Sequence, residues 1–192
     1  MRYVRCPRSI AFGKSAWIGA SRHATAMHQR LASAATYRPA VDDDRPAMRA
    51  LVEHDLAGTP YATVAEYFLR LANDGAANES RAIVAERAGE VVGFALFGEV
   101  AGAIGTGRVH FVSVTAGARL HAIGVGLCEA AVADLALKGA RLIVAEVPDE
   151  PLLSPGRALL ARCGFVETAR VPDYFRDSTD LVVLLRSIGR GT

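Results

Sequence analysis

Residues 109–146 read VHFVSVTAGARLHAIGVGLCEAAVADLALKGARLIVAE. The runs at 109–114 and 141–146 are rich in valine and other apolar residues, and the second is apolar almost throughout, as in a strand buried on both faces. Between them, leucine and alanine recur at a spacing of four up to Lys138, and Gly139 stands where helices commonly end. A strand, a helix and a second strand in succession predict a parallel pair joined by a helical crossover.

The sequence on either side completes a mixed α/β sheet. Short apolar runs bounded by glycine, proline and aspartate predict strands, and leucines at helical spacing predict helices. We expect further strands at 37–41, 82–86, 91–97, 166–171 and 181–186. We expect further helices at 48–56, 64–72 and 154–164, with Ser154 capping the last of them. The predicted order is β-α-α-β-β-β-α-β-α-β-β.

The chain has 192 residues, enough for one domain with some excess. Hydrophobic residues make up 51% and charged residues 22%, which excludes a disordered chain, a collagen-like fibre and a disulfide-dense mini-protein. No apolar run approaches the ~18 residues of a membrane-spanning helix. Cys6, Cys128 and Cys163 are an odd number without a Cys-x-x-Cys pair. This pattern favours a reducing, cytoplasmic location and argues against a structural metal site.

Charge is distributed unevenly along the chain. Residues 1–36 hold six basic residues and no acid, whereas residues 37–192 hold 16 basic and 20 acidic residues, a net charge of −4. A nucleic-acid-binding domain normally carries its positive charge in the folded part, which argues against nucleic acid as a partner. We predict a basic N-terminal extension outside the core over 1–36 and one domain over 37–192. The extension is interpreted as an irregular tail or as a start assigned before Met27, with a transit peptide as the alternative.

Two glycine-rich stretches are candidates for binding phosphate. Gly102-Ala-Ile-Gly-Thr-Gly107 precedes a strand and presents no helix N-terminus, which predicts a plain hairpin loop. His121-Ala-Ile-Gly-Val-Gly126 opens a helix, where glycines let an anion approach and the first N–H groups have no partner inside the helix. On spacing alone, a pyrophosphate site and an ordinary tight turn remain equally open.

The stretch from His121 to Gly126 resembles the [Gln/Arg]-x-x-Gly-x-[Gly/Ala] acyl-CoA signature of the GNAT superfamily of N-acyltransferases. Ala161-Arg-Cys-Gly-Phe165 resembles the x-x-x-Gly-Phe sequence that ends a helix in this family, and the resemblance covers residues 37–188. It implies a GNAT-like, mostly antiparallel sheet with a central parallel strand pair, flanked by helices. It also implies transfer of an acetyl group from acetyl-CoA to an amine, without a metal.

The same resemblance implies which residues bind acetyl-CoA, and three positions depart from the family pattern. His121 replaces the usual glutamine or arginine, Ala116 replaces a proline, and Leu160 replaces the tyrosine proposed to protonate the CoA thiolate. The family pattern therefore does not identify the general acid. The residues implied in binding are Val114, Arg119, His121, Ala122, Ile123, Gly124, Val125 and Gly126.

Two residues are candidates for the chemistry of transfer. Glu146 ends the second central strand, and strand ends in α/β sheets border clefts, so its carboxylate is the first candidate for removing the amine proton. A solvated strand-end carboxylate is the alternative interpretation. Glu99 and His110 are rival bases, although the apolar neighbours of His110 favour a packing role. Tyr174 is a candidate for protonating the thiolate, with a plain surface position as the favoured alternative.

The sequence leaves the acceptor broad. A small-molecule or peptide amine is expected, with neither nucleic acid nor membrane as a partner, and a homodimer is left open. A non-catalytic acyl-CoA sensor or structural domain of the same fold is the alternative function, and Leu160 favours it. A dinucleotide-binding fold is disfavoured, because Leu127-Cys128-Glu129 stands where its third glycine should fall.

Overall fold

The computed structural model describes residues 35–73, 80–116 and 122–189. Residues 35–192 make one compact unit. The strands are β1 (Thr36–Pro39), β2 (Arg81–Arg87), β3 (Glu90–Glu99), β4 (Thr106–Val114), β5 (Leu142–Pro148), β6 (Val166–Arg176) and β7 (Thr179–Ser187). The flanking helices are α1 (Arg45–Leu56), α2 (Pro60–Asn73), α3 (Ile123–Leu137) and α4 (Ser154–Arg162).

The seven strands form one sheet in the order β1-β2-β3-β4-β5-β7-β6. Only β4 and β5 pair in parallel within this sheet, and α3 is the crossover between them. One core lies between the sheet and helices α3 and α4, around Phe97, Leu127 and Ile143. The other lies on the opposite face, between β2 to β4 and helices α1 and α2, around Met48 and Phe94. The mixed sheet with a central parallel pair, predicted from residues 109–146, is confirmed.

The central parallel pair opens along its length. Pairing between β4 and β5 runs from Thr106 opposite Leu142 to Arg108 opposite Val144 and stops there. Strand β4 continues to Val114, while β5 pairs with β7 over its whole length. A gap therefore separates the carboxyl halves of β4 and β5, and we call it the β4–β5 gap.

A bulge in β4 lies where this gap begins. Leu96 of β3 faces Phe111, and the next residue, Phe97, faces Val109, which leaves His110 as the extra residue. Because a bulge places two successive side chains on one side of a strand, His110 and Phe111 both turn toward the face covered by α1 and α2. Phe111 accordingly packs against the core on that face.

The helix that follows β5 begins differently from the prediction. A short 3-10 turn over Pro151–Leu153 precedes α4, and Ser154 is the first residue of the α-helix. The Ser154 hydroxyl donates to the Pro151 carbonyl at 2.8 Å, so it does not cap the N–H groups of α4. Strand β6 also extends five residues beyond the predicted end at Val171, because its pairing with β7 resumes at Arg176.

The predicted extension, residues 1–36, lies outside the described residues except for its last two. We propose that it contributes little to the stability of the domain. Strand β1 pairs with β2 from Thr36 opposite Glu86 onward, so a chain beginning at Ala35 keeps the whole ladder. We expect its free energy of unfolding in urea to lie within about 2 kcal/mol of the full chain, the value of burying one apolar side chain. A larger loss would place part of residues 1–34 in the core.

Candidate functional site

The N-terminus of α3 presents backbone donors that have no partner inside the helix. The first hydrogen bond inside the helix runs from the Gly126 N–H to the Ala122 carbonyl at 3.1 Å. The N–H groups of Ile123, Gly124 and Val125 therefore point out of the helix end. Ala122 has a φ of 55°, and the first turn contains no acidic residue. Together with the positive end of the helix dipole, these donors suit a phosphate group.

The helix starts above the open end of the β4–β5 gap. A Cβ atom on Gly93 would lie 2.7 Å from Val114 Cγ1 and 3.1 Å from Leu127 Cδ1, so the start of α3 is at the Val114 end of β4. A Cβ atom on Gly107 would lie 2.8 Å from Leu135, so the helix ends at the opposite end of β4. The donors of α3 thus stand beside the mouth of the gap.

Close packing explains both glycines in the first turn of α3. Neither has a positive φ, so backbone conformation does not require them. A Cβ atom on Gly124 would lie 3.3 Å from Leu159 of α4. A Cβ atom on Gly126 would overlap the hydroxyl group and ring of Tyr37 in β1, and burial raises the pKa of that hydroxyl. Sequence reasoning assigned these glycines to the approach of an anion, and their contacts with α4 and β1 add a second reason.

The packing of Tyr37 on Gly126 gives a prediction about stability. Gly126→Ala should destabilise the protein by about 1–2 kcal/mol, because overpacking costs more than the helix gains from alanine. With Tyr37 replaced by alanine, the same Gly126→Ala change should stabilise the protein by about 0.5 kcal/mol, since only the helix preference remains. Urea unfolding of the wild type, the two single variants and the double variant measures both effects. The same sign in both backgrounds would show that Tyr37 does not limit this position.

The edge of β4 that faces the gap carries backbone donors and acceptors. The Thr115 N–H donates to the Val92 carbonyl at 2.9 Å, so it faces β3. Alternate residues of an antiparallel strand direct their peptide groups to opposite edges. The peptide groups of Val114 and Val112 therefore face the gap, where an extended chain can pair with that of Val112.

The face of the gap toward α1 and α2 carries the polar side chains. Glu146 on β5 accepts a hydrogen bond from Arg108 of β4, Nη2 to Oε1 at 3.0 Å, across the point where the strands separate. The ring of His110 stacks on Phe68 of α2, with ring centroids 3.8 Å apart. Glu146 pairs with Val183 of β7 in the sheet and is 38% exposed at its side chain. The first candidate base and one rival therefore share one face of the gap.

Helix α2 reaches from this face to the end of β5. Its first turn holds Tyr61, whose hydroxyl donates to Glu150 Oε1 at 2.6 Å. Arg176 of β6 donates to the same oxygen at 2.6 Å, and the Phe175 ring lies edge-on to Tyr61 at 6.1 Å. The hydrogen bonds from Tyr61 and Arg176 hold the pKa of Glu150 below its ordinary value, and burial with this bond raises the pKa of Tyr61 to about 12. Tyr174 contacts Phe175 and is 60% exposed.

The remaining candidates lie away from the gap or outside the described residues. Glu99 stands opposite Gly107 at the closed end of the strand pair. Leu160, a residue of α4, is buried in the core, so the position of the family tyrosine holds an apolar side chain. Arg119 and His121 lie outside the described residues.

Several residues near the gap were not singled out by sequence reasoning: Phe68, Arg108, Tyr61, Glu150 and Arg176. Each of them contacts a residue that is distant in sequence. Tyr61, for example, donates its hydrogen bond to Glu150, 89 positions away. No local pattern marks such a contact. The one local signal is the spacing of Glu146 and Glu150, four residues apart at the end of a central strand.

The helical sequence patterns around Cys128 and Cys163 predict small, buried apolar residues, and the structure confirms both as core residues. Cys128 of α3 and Cys163 after α4 are 0% and 2% exposed. Hydrogen bonding with Cys163 and burial raise the pKa of the Cys128 thiol.

The described residues form neither a candidate metal site nor a membrane-spanning helix. In residues 35–73, 80–116 and 122–189, no three His, Cys, Asp or Glu side chains gather where they could hold a metal ion. Among the helices of the same residues, none is long and apolar enough to cross a membrane.

A model of the Acetyltransferase (GNAT) family matches residues 46–165. This match covers more than half of the chain, which therefore belongs to the GNAT family of acetyltransferases. A comparison with curated protein sequences finds no match.

Solved structures share the fold over most of the chain. A GNAT-family protein from Desulfovibrio desulfuricans is 24% identical with a TM-score of 0.74, over 81% of this chain and 100% of its own. YncA from Salmonella typhimurium, solved with its cofactor acetyl-CoA, is 20% identical with a TM-score of 0.67, over 83% and 97%. Ribosomal-protein-alanine N-acetyltransferase from Brucella melitensis is 23% identical with a TM-score of 0.64, over 80% and 99%. At these identities the likeness establishes the fold.

Proposed function

We propose that the protein moves an acetyl group from acetyl-CoA to an amine by direct transfer within the β4–β5 gap. The observation that carries this proposal is the placement of the α3 N-terminus above a gap that has Glu146 on its wall. The backbone donors of α3, which can bind a phosphate, then lie at one end of the gap. The carboxylate of Glu146, which can accept the amine proton, lies at the other end. The family to which the chain belongs supports acetyl transfer as the reaction.

The geometry of β4 supports a placement for acetyl-CoA. Its pyrophosphate would accept hydrogen bonds from the first turn of α3, where Ile123, Gly124 and Val125 turn their N–H groups outward. Its extended arm would pair with the edge of β4 that carries the peptide group of Val112. From Val114 to His110 is four residues, about 13 Å along an extended strand. The thioester would then lie near the bulge, beside His110 and Glu146.

The acceptor must lose a proton before it can attack. An amine with a pKa of ~10.4 is almost all ammonium at pH 7, and making the free amine costs about 4.6 kcal/mol. We assign the removal of this proton to the Glu146 carboxylate, which accepts it directly or through water. The amine nitrogen then bonds to the thioester carbon, and the backbone N–H of Val112, the gap-facing donor nearer the bulge, stabilises the negative oxygen. The nitrogen, which is positively charged after the attack, loses its second proton to solvent as the carbon–sulfur bond breaks and CoA leaves as a thiolate.

Tyr174 is proposed as the donor that protonates this thiolate. It lies on the irregular part of β6 between Val171 and Arg176. It contacts Phe175, whose ring packs against Tyr61 in the first turn of α2. Its role should be modest, because a thiolate whose thiol has a pKa near ~8.5 leaves without full protonation.

The acceptor is proposed to be a small-molecule or peptide amine that enters between α2 and the β6–β7 hairpin. Carboxylates at Glu146 and Glu150 suit a cationic amine, and Tyr61, Phe68 and Phe175 supply aromatic walls. We place the activity in the cytoplasm, because the odd number of cysteines suits a reducing compartment.

Turnover on an amine panel tests the proposal against the alternative of a non-catalytic acyl-CoA-binding domain. The expected result is release of free CoA together with an acetylated amine of matching amount. Binding of acetyl-CoA in calorimetry without turnover on small amines, lysine and peptide N-termini would favour the sensor instead. No binding of acetyl-CoA would overturn both.

A further inference from the structure

Strand β6 is a long and open edge of the sheet. No described strand lies beyond it, and all eleven of its residues are exposed. Its apolar side chains include Val166 at 64% and Val171 at 43% exposure. An exposed apolar edge with unpaired N–H and C=O groups is a template for pairing with another strand.

The two faces of β6 differ in chemistry. The register with β7 has a bulge at Thr168, because Glu167 faces Leu184 and Ala169 faces the next residue, Val183. Glu167 and Arg170 consequently lie on the same face, the one covered by α4, where they form an ion pair at 3.2 Å. Val166 and Val171 lie on the opposite face, since their partners Leu185 and Leu181 are four residues apart on β7.

The segment Val166-Glu-Thr-Ala-Arg-Val171 is complementary to its own reverse. In an antiparallel pair of two such segments, with the two-fold axis between Thr168 and Ala169, Val166 stands opposite Val171. Glu167 stands opposite Arg170 in the same register. Each pair occurs twice, and each joins residues of the same face, apolar to apolar and acid to base.

We propose that β6 pairs with β6 of a second copy of this chain in this register. The result is a two-fold dimer in which the two sheets become one continuous sheet, a closed arrangement that buries the exposed edge of both copies. Glu167 and Arg170 are 49% and 38% exposed at their side chains. Arg170 Nη1 also donates to Asp149 Oδ2 and to Asp180 Oδ2, so in the new strand pair Glu167 of the second copy would join the carboxylates around this guanidinium. Charge complementarity in this one register selects a second copy as the occupant.

The sequence after Val171 limits the pairing to this segment. Pro172 has no N–H to donate, and Asp173 turns the chain with a φ of 53°. The Asp173 N–H is also committed to Asp180 Oδ1 at 3.1 Å. Further pairing along the edge is therefore blocked, which favours a closed dimer over an extended assembly.

Two substitutions test the interface through the mass of the protein in solution. Val166→Lys places a charge against Val171 of the second copy, and Glu167→Lys places a cation against Arg170. Matched controls are Val41→Lys, at a valine that is 56% exposed outside β6, and Glu90→Lys, at an exposed glutamate that begins β3. Sedimentation equilibrium over a dilution series gives the dissociation constant, and thermal unfolding confirms that each variant is folded.

The wild-type chain should sediment at twice its mass of 20.3 kDa. Val166→Lys and Glu167→Lys should each weaken the dimer by roughly tenfold or more, since each acts at two symmetric pairs, while both controls stay dimeric. A monomeric wild-type chain would overturn the proposal. A dimer equally stable in both β6 variants would also overturn it, because the interface would then lie elsewhere.

Discussion

Replacing Glu146 by glutamine is expected to lower kcat/KM by about a hundredfold at neutral pH, the usual contribution of a general base. Glutamine keeps the shape of the side chain, and its Oε1 can still accept the hydrogen bond from Arg108 that Glu146 accepts at 3.0 Å. It loses the negative charge, and with it both the capacity to take a proton from the amine and the charge of the ion pair with Arg108. The affinity for acetyl-CoA, measured by calorimetry, should stay unchanged.

The matched control for this substitution is Glu86→Gln. Glu86 also pairs with an arginine, accepting from Arg38 Nε at 2.9 Å between β1 and β2, but it lies away from the gap. Its replacement should leave kcat/KM unchanged. Tyr174→Phe should cost less than Glu146→Gln, since the CoA thiolate is a tolerable leaving group.

The pH dependence separates a lost base from a disturbed site. Raising the pH neutralises more of the acceptor amine in solution, so the activity of Glu146→Gln should rise toward that of the wild type. A disturbed site would keep its deficit at every pH. A Glu146→Gln enzyme within threefold of the wild type would remove Glu146 from the mechanism and favour His110, which lies on the same face of the gap.

The second large effect is expected at the N-terminus of α3, where Gly124→Glu should abolish binding of acetyl-CoA. A carboxylate at this position opposes the phosphate charge that the outward N–H groups of the first turn attract. At a hundred times the dissociation constant, bound ligand stabilises the wild type by about 2.7 kcal/mol, a rise in Tm on the order of 5–10 °C for a chain of this length. The variant should show no rise.

The matched control is Gly124→Gln, which has nearly the same size without the charge. Both side chains meet Leu159, 3.3 Å from the position of a Cβ atom, so both carry the same packing cost. The ligand-free Tm of the glutamate variant should be equal to that of the glutamine variant or slightly higher, because the helix dipole favours a negative charge in the first turn. The glutamine variant should keep part of the protection by acetyl-CoA. Equal protection in the glutamate variant and the wild type would place the phosphates elsewhere.

The sequence predicted the elements well where local physics governs them. Apolar runs identified the central strands, helical spacing identified α3, and Ala88-Gly89 marked the turn between β2 and β3, where both residues have a positive φ. Residues 102–105 of the glycine-rich stretch form a loop, as predicted from the lack of a helix behind them, whereas Thr106 and Gly107 already belong to β4. The two described cysteines were correctly predicted as buried apolar residues in helical patterns.

The candidate site was predicted less completely. Glu146 was singled out because the apolar run of residues 141–146 ends there, although β5 itself continues to Pro148. Residues 122–126 were singled out because they open a helix, and both assignments stay predictions. Arg108, the partner of Glu146, was not found, since an ion pair across two strands depends on their register. The position of His110 depends on a bulge, and one residue more or less in the pairing would turn its side chain to the other face.

Local preference and hydrophobic period belong to the chain itself, and they specify the order of strands and helices and the parallel pair at the centre. Three features come from the assembled sheet: the β4–β5 gap, the face that brings Glu146 and His110 together, and the contact of Tyr37 with Gly126. Each joins segments far apart in sequence, and its geometry depends on register, twist and packing rather than on any neighbouring residue. The physical reason is that a strand is stable only through its partners, so the point where pairing stops is a property of the whole sheet.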